Sequence, residues 1–312
     1  ANKEQKEKFS TILKSKPIRT LSGVAPLALF SAPTNCPPEA QCIFCPGGPN
    51  SFFGNVPKSY TGNEPASRRA ARNKYDHYLQ VFNRLEHYVL LNQNFNKLDV
   101  IVMGGTFPFL PKIYKEKFIM YTYKAINDFS YLFLKNNEVD FKKFNEFFEM
   151  SGDLNDEQRT KRIHEKLLVY KEKDFENTNL DLENEKLRNE KNSIRCIGLT
   201  IETRPDYGKL EIGNECLTYG ATRIELGIQS VYDEDLEFVK RGHSVQDSIE
   251  SIQILKDLGF KLNFHYMLGL TENEKKDLEG IKKLFSDPNF RPDMMKIYPC
   301  LVMPGTPLYN LY

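Results

Sequence analysis

Three of the six cysteines, Cys36, Cys42 and Cys45, fall within the short stretch CPPEAQCIFCPGGP, with the spacing C-x5-C-x2-C. Thiolates are ligands for soft metals. A structural zinc site usually takes four ligands in pairs, and no second C-x2-C pair is present. His77 or His87 offers a fourth ligand, but neither has zinc-finger spacing. A four-iron cluster normally takes four cysteines, so three leave one iron without a protein ligand. An open iron is a place for a substrate or cofactor to coordinate, as the open position of catalytic zinc is. Gly47 and Gly48 let the backbone approach a ligand closely, and Pro46 and Pro49 stiffen the bend. The bland alternative is a tight surface loop with three incidental thiols. It is the weaker reading, because Cys, Pro and Gly form one compact unit here.

The chain has 312 residues, 40% of them hydrophobic, which suits a globular protein with a sizeable core. No apolar run approaches the roughly 20 residues of a membrane helix. The first ten residues, ANKEQKEKFS, are charged and carry no apolar signal region. These features favour a cytoplasmic protein without a membrane partner, where a cysteine cluster points to metal or catalysis before disulfides. Net charge is +1, but residues 1–75 hold 11 Lys/Arg against 4 Asp/Glu, a local balance of +7. A basic face is therefore hidden in the total.

The elements that must position the cysteines alternate along the chain. Residues 1–22 read as a polar, basic arm. VAPLALFS (24–31) reads as a buried strand running into the cysteine loop, with little regular structure expected as far as Tyr60. One helix is expected over 65–91, with Pro65 in its first turn. LDVIVMGG (98–105) is a second strand, followed by a helix over 112–129. Residues 130–192, dense in Lys, Glu, Asn and Phe, read as an exposed helical insertion without strand signal. Strands then follow at 196–202, 222–229, 260–268 and 294–301, separated by helices at 209–219 and 233–241, one opened by SVQD and one opened by TENE. Val245, Ile249, Ile252, Leu255 and Leu258 recur at helical spacing. Six strands separated by helices imply an α/β fold with parallel pairing and right-handed crossovers, either an open doubly wound sheet or a partial βα barrel. Ligands belong at the C-terminal ends of such strands, where the cysteine loop, Gly104–Gly105, Glu202 and Gln229 all fall.

A three-cysteine loop after the first strand, with Phe44 just before the last cysteine, resembles the radical S-adenosylmethionine superfamily. The resemblance implies that Cys36, Cys42 and Cys45 hold a [4Fe-4S] cluster. The methionine part of S-adenosylmethionine would chelate the fourth iron, and an electron from the cluster would cleave the sulfonium to a 5′-deoxyadenosyl radical. The usual spacing is C-x3-C-x2-C; the wider first gap occurs in some subfamilies. GGTF (104–107) is similar to the family's Gly-Gly motif, which implies cofactor contacts at Gly104, Gly105 and Thr106. IELGIQSVYDEDLEFVKRGH resembles a stretch of oxygen-independent coproporphyrinogen oxidases, which implies that Gln229 and Arg241 hold the cofactor. Arg suits its carboxylate because the guanidinium fork can bond it twice. Glu202 falls where the family places a polar residue near the ribose; otherwise it is a salt-bridge partner of Arg204 or Arg223. His243 reads as structural, and Cys196 and Cys216 as dispensable core thiols.

RTLSGVAPLALFS, CPGGP, SYTGNEPASRRAARNKYD, MGGTFPFLP, GLTIETRPDY, YGATRIELGIQSVYD, RGHSV, FRPDMMKIYP and GTPLYNL run in order along the chain. Together they resemble the catalytic third subunit of Elongator, in its archaeal or bacterial form, over nearly everything except 130–192. The resemblance implies a partial (βα)6 TIM-like barrel of the radical SAM type with a helical insertion. Residues 1–22 would be the arm, 23–301 the core and 302–312 the start of a linker to an absent acetyltransferase-like domain. It implies carboxymethylation of the wobble uridine of tRNA at C5, with acetyl-CoA as carbon donor and its site outside this chain. YMLGLT (266–271) departs from the Pro-containing turn of relatives. The chain begins at Ala1, which reads as a fragment of a longer protein.

The residues assigned to the tRNA anticodon stem-loop are Lys14, Lys16, Arg19, Arg68, Arg69 and Arg72. Arg68 and Arg72 are four apart and share a helical face. Contacts of this kind supply affinity and salt dependence rather than base choice. Tyr60, Tyr75 and Phe53 are candidates for stacking on unpaired bases, against core packing. A homodimer is left open. The alternatives are a radical SAM enzyme acting on a small molecule such as a porphyrinogen, and a non-catalytic tRNA-binding scaffold with a structural cluster. The first would not bind tRNA, and the second would not cleave S-adenosylmethionine.

Overall fold

The computed structural model describes residues 20–153, 156–175 and 179–311, with Gln5, Lys8, Phe9 and Ile12 besides; Lys14, Lys16 and Arg19 lie outside the described residues. The strands are β1 (Ala25–Phe30), β2 (Gly48–Ser51), β3 (Gly54–Val56), β4 (Lys97–Met103), β5 (Leu134–Lys135), β6 (Glu138–Val139), β7 (Arg195–Thr203), β8 (Arg223–Gln229), β9 (Lys261–Leu268) and β10 (Met294–Pro299). The helices are α1 (Pro65–Arg72), α2 (His77–Leu90), α3 (Lys112–Phe133), α4 (Phe141–Phe147), α5 (Glu157–Lys171), α6 (Leu182–Glu190), α7 (Leu210–Thr218), α8 (Asp233–Phe238), α9 (Val245–Asp257) and α10 (Glu274–Ser286). Six strands form one sheet in the order β1-β4-β7-β8-β9-β10. The pairings β7–β8, β8–β9 and β9–β10 are parallel, as helical crossovers require. This is the strand order of the expected partial (βα)6 barrel.

Two compact units are present. One comprises residues 1–29, 73–100 and 116–197. Its core is phenylalanine-rich: Phe82, Phe129, Phe133, Phe144 and Phe148 are buried, with ring centroids 4.9 Å apart for Phe129–Phe133 and 4.7 Å for Phe144–Phe148. The Phe content of 130–192 therefore builds a core instead of an exposed surface. A short hairpin, β5–β6, also interrupts that otherwise helical insertion, around Asn136 and Asn137, both in the left-handed region. Beside this core Asp128 is fully buried and takes hydrogen bonds from Tyr78, Arg188 and Lys124. A buried carboxylate needs such compensation.

The other unit comprises residues 30–72, 101–115 and 198–312. Two local expectations are corrected by the observed elements of the two units. The loop after the cysteines is not irregular throughout, since β2 and β3 pair antiparallel from Gly48↔Val56 to Ser51↔Gly54. The single helix expected over 65–91 is two, because Lys74 and Tyr75 take left-handed angles (φ 54° and 56°) and Asp76 caps α2 by accepting from the Leu79 N–H. The SVQD signal does form a capping box: Ser244 accepts from the Asp247 N–H at 3.1 Å, and the Asp247 carboxylate accepts from the Ser244 N–H at 2.9 Å. The buried face of α9 is made by Ser248, Ser251, Ile252 and Leu255, so two small serines replace part of the expected apolar stripe.

The cysteine loop is fastened through its backbone. The N–H groups of Gln41 and Ile43 donate to the carbonyls of Lys240 and Val239, and the Ile43 carbonyl accepts from Leu308. Gly242 makes this approach possible. Its φ is +77°, and a Cβ there would lie 2.1 Å from the Glu39 carbonyl oxygen. Gly242→Ala is accordingly expected to destabilise the protein by more than about 1 kcal/mol, from strain and backbone collision together. Urea denaturation reads this, and an unchanged midpoint would show that the loop moves aside freely.

Candidate active site

A cavity of about 560 Å³ opens within the second unit, with Cys36, Gly105, Thr106, Glu202, Gln229 and Arg241 among its lining residues. Six of the predicted site residues are thus brought to one place. Gly104 is not among the residues that line the cavity. The elements explain the convergence. Thr106 follows β4, Glu202 ends β7, Gln229 ends β8, and Arg241 lies on the connection from α8 to α9. Gln229 has a φ of 71° and sits beyond a bulge: Leu226 pairs with Phe264, but Gln229 pairs with Tyr266, three residues on β8 against two on β9. Such bulges re-aim side chains.

The three loop thiols are half-buried and free of disulfides. Each sulfur faces a donor. Thr106 Oγ1 lies 3.9 Å from Cys36, an Arg241 amino group 3.4 Å from Cys42, and the Ser59 N–H 3.3 Å from Cys45. Donors aimed at sulfur suit thiolate ligands of an iron–sulfur cluster, and the donor set therefore fits such a group. The cofactor side of the cavity also has open valences. The Oε1 atoms of Glu202 and Gln229 and the Nε of Arg241 are buried without a partner. These are two acceptors and one donor for a polar ligand. The other amino group of Arg241 donates to the Gly227 carbonyl at 2.8 Å. His243 is buried, with neither ring nitrogen hydrogen-bonded, and burial together with the Arg241 and Arg204 charges pushes its imidazole down to about 2. Cys216 is buried, its thiol pushed up to about 12, while Cys196 is half-buried at the start of β7. Arg204 pairs with Asp206 and not with Glu202.

Glu225 and His265 are further polar residues lining this cavity, and Lys296 on β10 reaches Glu225; none of the three was expected from the sequence. Their signal was present, as each is a polar residue inside an apolar strand segment. Glu225 is 1% exposed and accepts from Asn263 at 3.1 Å, His265 at 2.8 Å, and Lys296. Burial opposes its ionisation, but the His265 hydrogen bond and the Lys296 charge outweigh burial and hold it at about 2. Glu202 is its register partner on β7. Burial first, and the Glu225 charge second, push Glu202 up to about 8 despite Lys296 at 4.0 Å. Unequal surroundings thus push the titration of the two adjacent carboxyls in opposite directions, Glu202 up and Glu225 down.

Of the residues assigned to tRNA, Arg68 and Arg72 are exposed on α1 and Arg69 is half-buried. With Asn63 and Pro65 they line a separate concavity of about 460 Å³. Tyr60 is half-buried at the main cavity, edge-on to Phe30 at 4.7 Å, and Phe53 and Tyr75 are half-buried elsewhere.

A three-thiol loop at the strand ends of this sheet defines a class of iron–sulfur protein that acts through a bound cofactor. A sequence profile of the Radical SAM superfamily matches residues 34–285, and the chain belongs to that superfamily. Membership implies a [4Fe-4S] cluster and S-adenosylmethionine. Among curated proteins, the tRNA uridine(34) acetyltransferase of Methanocaldococcus jannaschii is 40% identical over 314 residues, which is 100% of this chain and 49% of that protein. Elongator complex protein 3 of Mus musculus is 38% identical over 96% of this chain and 47% of its own length. The solved structure of the archaeal Methanocaldococcus infernus Elp3 with an N-terminal deletion superposes with a TM-score of 0.64 at 30% identity, covering 93% of this chain and 48% of that one. The chain thus spans about half the length of the relatives it matches.

Two outcomes are expected. Replacing Cys36, Cys42 and Cys45 with Ala abolishes iron uptake and visible absorbance on anaerobic reconstitution; retained iron would refute the ligand assignment. The second concerns pH. Because the folded-state pKa of Glu202 lies above its unfolded value, the native state binds an extra proton between them. The stability this contributes is complete below the usual carboxylate range and is lost as pH rises through about 8. Denaturant titrations from about pH 5 to about pH 9 should show wild type losing stability relative to Glu202→Gln. Parallel curves would show that Glu202 holds no extra proton.

Proposed function

We propose that this chain is the radical SAM portion of an enzyme that carboxymethylates the wobble uridine of tRNA at C5, with acetyl-CoA as carbon donor. The observation that carries this reading is the 40% identity across 100% of the chain with a protein named for tRNA uridine(34). Cys36, Cys42 and Cys45 would hold the cluster, whose bound chemistry is one-electron reductive cleavage of S-adenosylmethionine. The chain's own residues do the rest. Glu202 and Gln229 offer buried acceptors to the hydroxyl groups of the ligand, and the backbone around Gly105 and Thr106 borders the methionine end. Arg241 serves both the Cys42 sulfur and, through its unpaired Nε, the ligand's carboxylate. The raised pKa of Glu202 favours its neutral form on that wall of the cavity. Acetyl-CoA would be bound largely by the half of the full-length enzymes that this chain does not match.

Arg68 and Arg72 on α1, with Lys14, Lys16 and Arg19 of the arm, are the proposed contacts to anticodon-loop phosphates. An exposed anticodon base reaches a buried radical with less unstacking than a duplex base.

Three measurements on one anaerobically reconstituted sample test the reading: iron content, 5′-deoxyadenosine release and tRNA affinity. Cofactor cleavage together with tRNA binding is expected. Cleavage without tRNA binding would favour a small-molecule substrate, and tRNA binding without cleavage a scaffold. Charge reversal at Arg68 and Arg72 should weaken tRNA binding and reduce the salt slope by about 1 for each phosphate no longer neutralised. Arg241→Ala should weaken S-adenosylmethionine binding by about 1.5–3 kcal/mol, the range for a charge-assisted hydrogen bond. Calorimetry showing unchanged affinity would remove Arg241 from the cofactor site.

A further inference from the structure

Lys58 follows the β2–β3 hairpin, which folds it back over the cysteine loop. Its path is marked by two glycines. A Cβ on Gly105 would lie 3.2 Å from Lys58 Cβ and 3.7 Å from Cys36 Sγ. A Cβ on Gly48 would lie 2.8 Å from both the Cε and the Nζ of Lys58. The side chain therefore starts beside Gly105 and the Cys36 sulfur and ends with its ammonium against Gly48, three residues beyond Cys45. Any side chain at Gly48 would displace the ammonium. The next residue, Ser59, donates its backbone N–H to Cys45 Sγ at 3.3 Å. The segment thus presents a donor to Cys45 and sets its ammonium against the same loop, three residues beyond that ligand. No hydrogen-bond or ion-pair partner of Lys58 lies among the described residues.

We propose that Lys58 is a positioning residue for electron transfer: its ammonium, held against Gly48, sets the reduction potential of the cluster held by Cys36, Cys42 and Cys45. The inference rests on the cluster assignment above. Reduction adds one negative charge to the cluster, and net charge and hydrogen bonds at the sulfurs are what set such potentials. A fixed cation beside the thiolates favours the reduced form. Arg241 serves Cys42, so the two cations address different ligands.

The test is an anaerobic redox titration of the reconstituted chain, followed by the electron paramagnetic resonance signal of the reduced cluster, with iron content measured in parallel. Lys58→Met removes the charge and keeps the length. At a fixed poise it should hold about tenfold less reduced cluster relative to oxidised than wild type, which is about 59 mV for a one-electron couple. Lys58→Arg should stay close to wild type. If Lys58→Met takes up no cluster while Lys58→Arg does, the requirement for charge is upheld. Equal reduced fractions in Lys58→Met and wild type, or loss of the cluster in both variants, would overturn the inference. A wild-type chain that binds no cluster would instead overturn the ligand assignment, and this inference with it.

Discussion

The site hangs on the guanidinium of Arg241. One amino group donates to the Cys42 sulfur, the other to the Gly227 carbonyl, and the residue's own carbonyl accepts from Arg204 at 2.7 Å. Arg204 is in turn paired with Asp206 in the short 3-10 turn after β7. One residue thus joins the cysteine loop, β8 and the turn beyond β7. A charge withdrawn from water must find its partners where they are, because leaving them unmet costs several kcal/mol. The loop therefore has few positions open to it, and the Cys42 thiol is held by one of the bonds that the arginine makes.

The buried carboxyls illustrate a second constraint. Glu202 and Glu225 are register partners on neighbouring parallel strands, and two ionised groups so close would repel. The conflict is resolved by unequal surroundings. Glu225 accepts from Asn263, His265 and Lys296, while the Oε1 of Glu202 has no hydrogen-bond partner and burial pushes its carboxyl up. The raised pKa favours the neutral acid at Glu202, beside an anion well supplied with donors. A neutral carboxyl can both donate and accept, which an ionised one cannot.

Much of this was legible in the sequence. The six strands, the capping box at Ser244 and the cysteine loop all rest on local patterns, and local patterns survive into the folded chain. What escaped notice depends on tertiary geometry. Nothing in RRAARNKYDHYL distinguishes one helix from two, because the break is made by Lys74 and Tyr75 in a conformation that neither residue type prefers. The phenylalanines of 130–192 look like an exposed insertion until they are seen to pack on one another. Glu225, His265 and Lys296 lie 40 and 71 residues from one another along the chain, counted from Glu225, and only strand register brings them together. Lys58 is an ordinary surface lysine in sequence; its setting is created by two distant glycines.

The bulge in β8 carries a consequence for ligand size. Three residues of β8 span the length of two on β9, so Gln229 sits one strand position, about 3.3 Å, lower than an unbulged strand would carry it. The depth of the cavity is therefore a counted quantity, altered by whole residues and not by degrees. Among proteins built on this sheet, a single insertion or deletion at that point would deepen or shorten the chamber by a step comparable to two carbon–carbon bonds. It would do so without changing a residue of the floor.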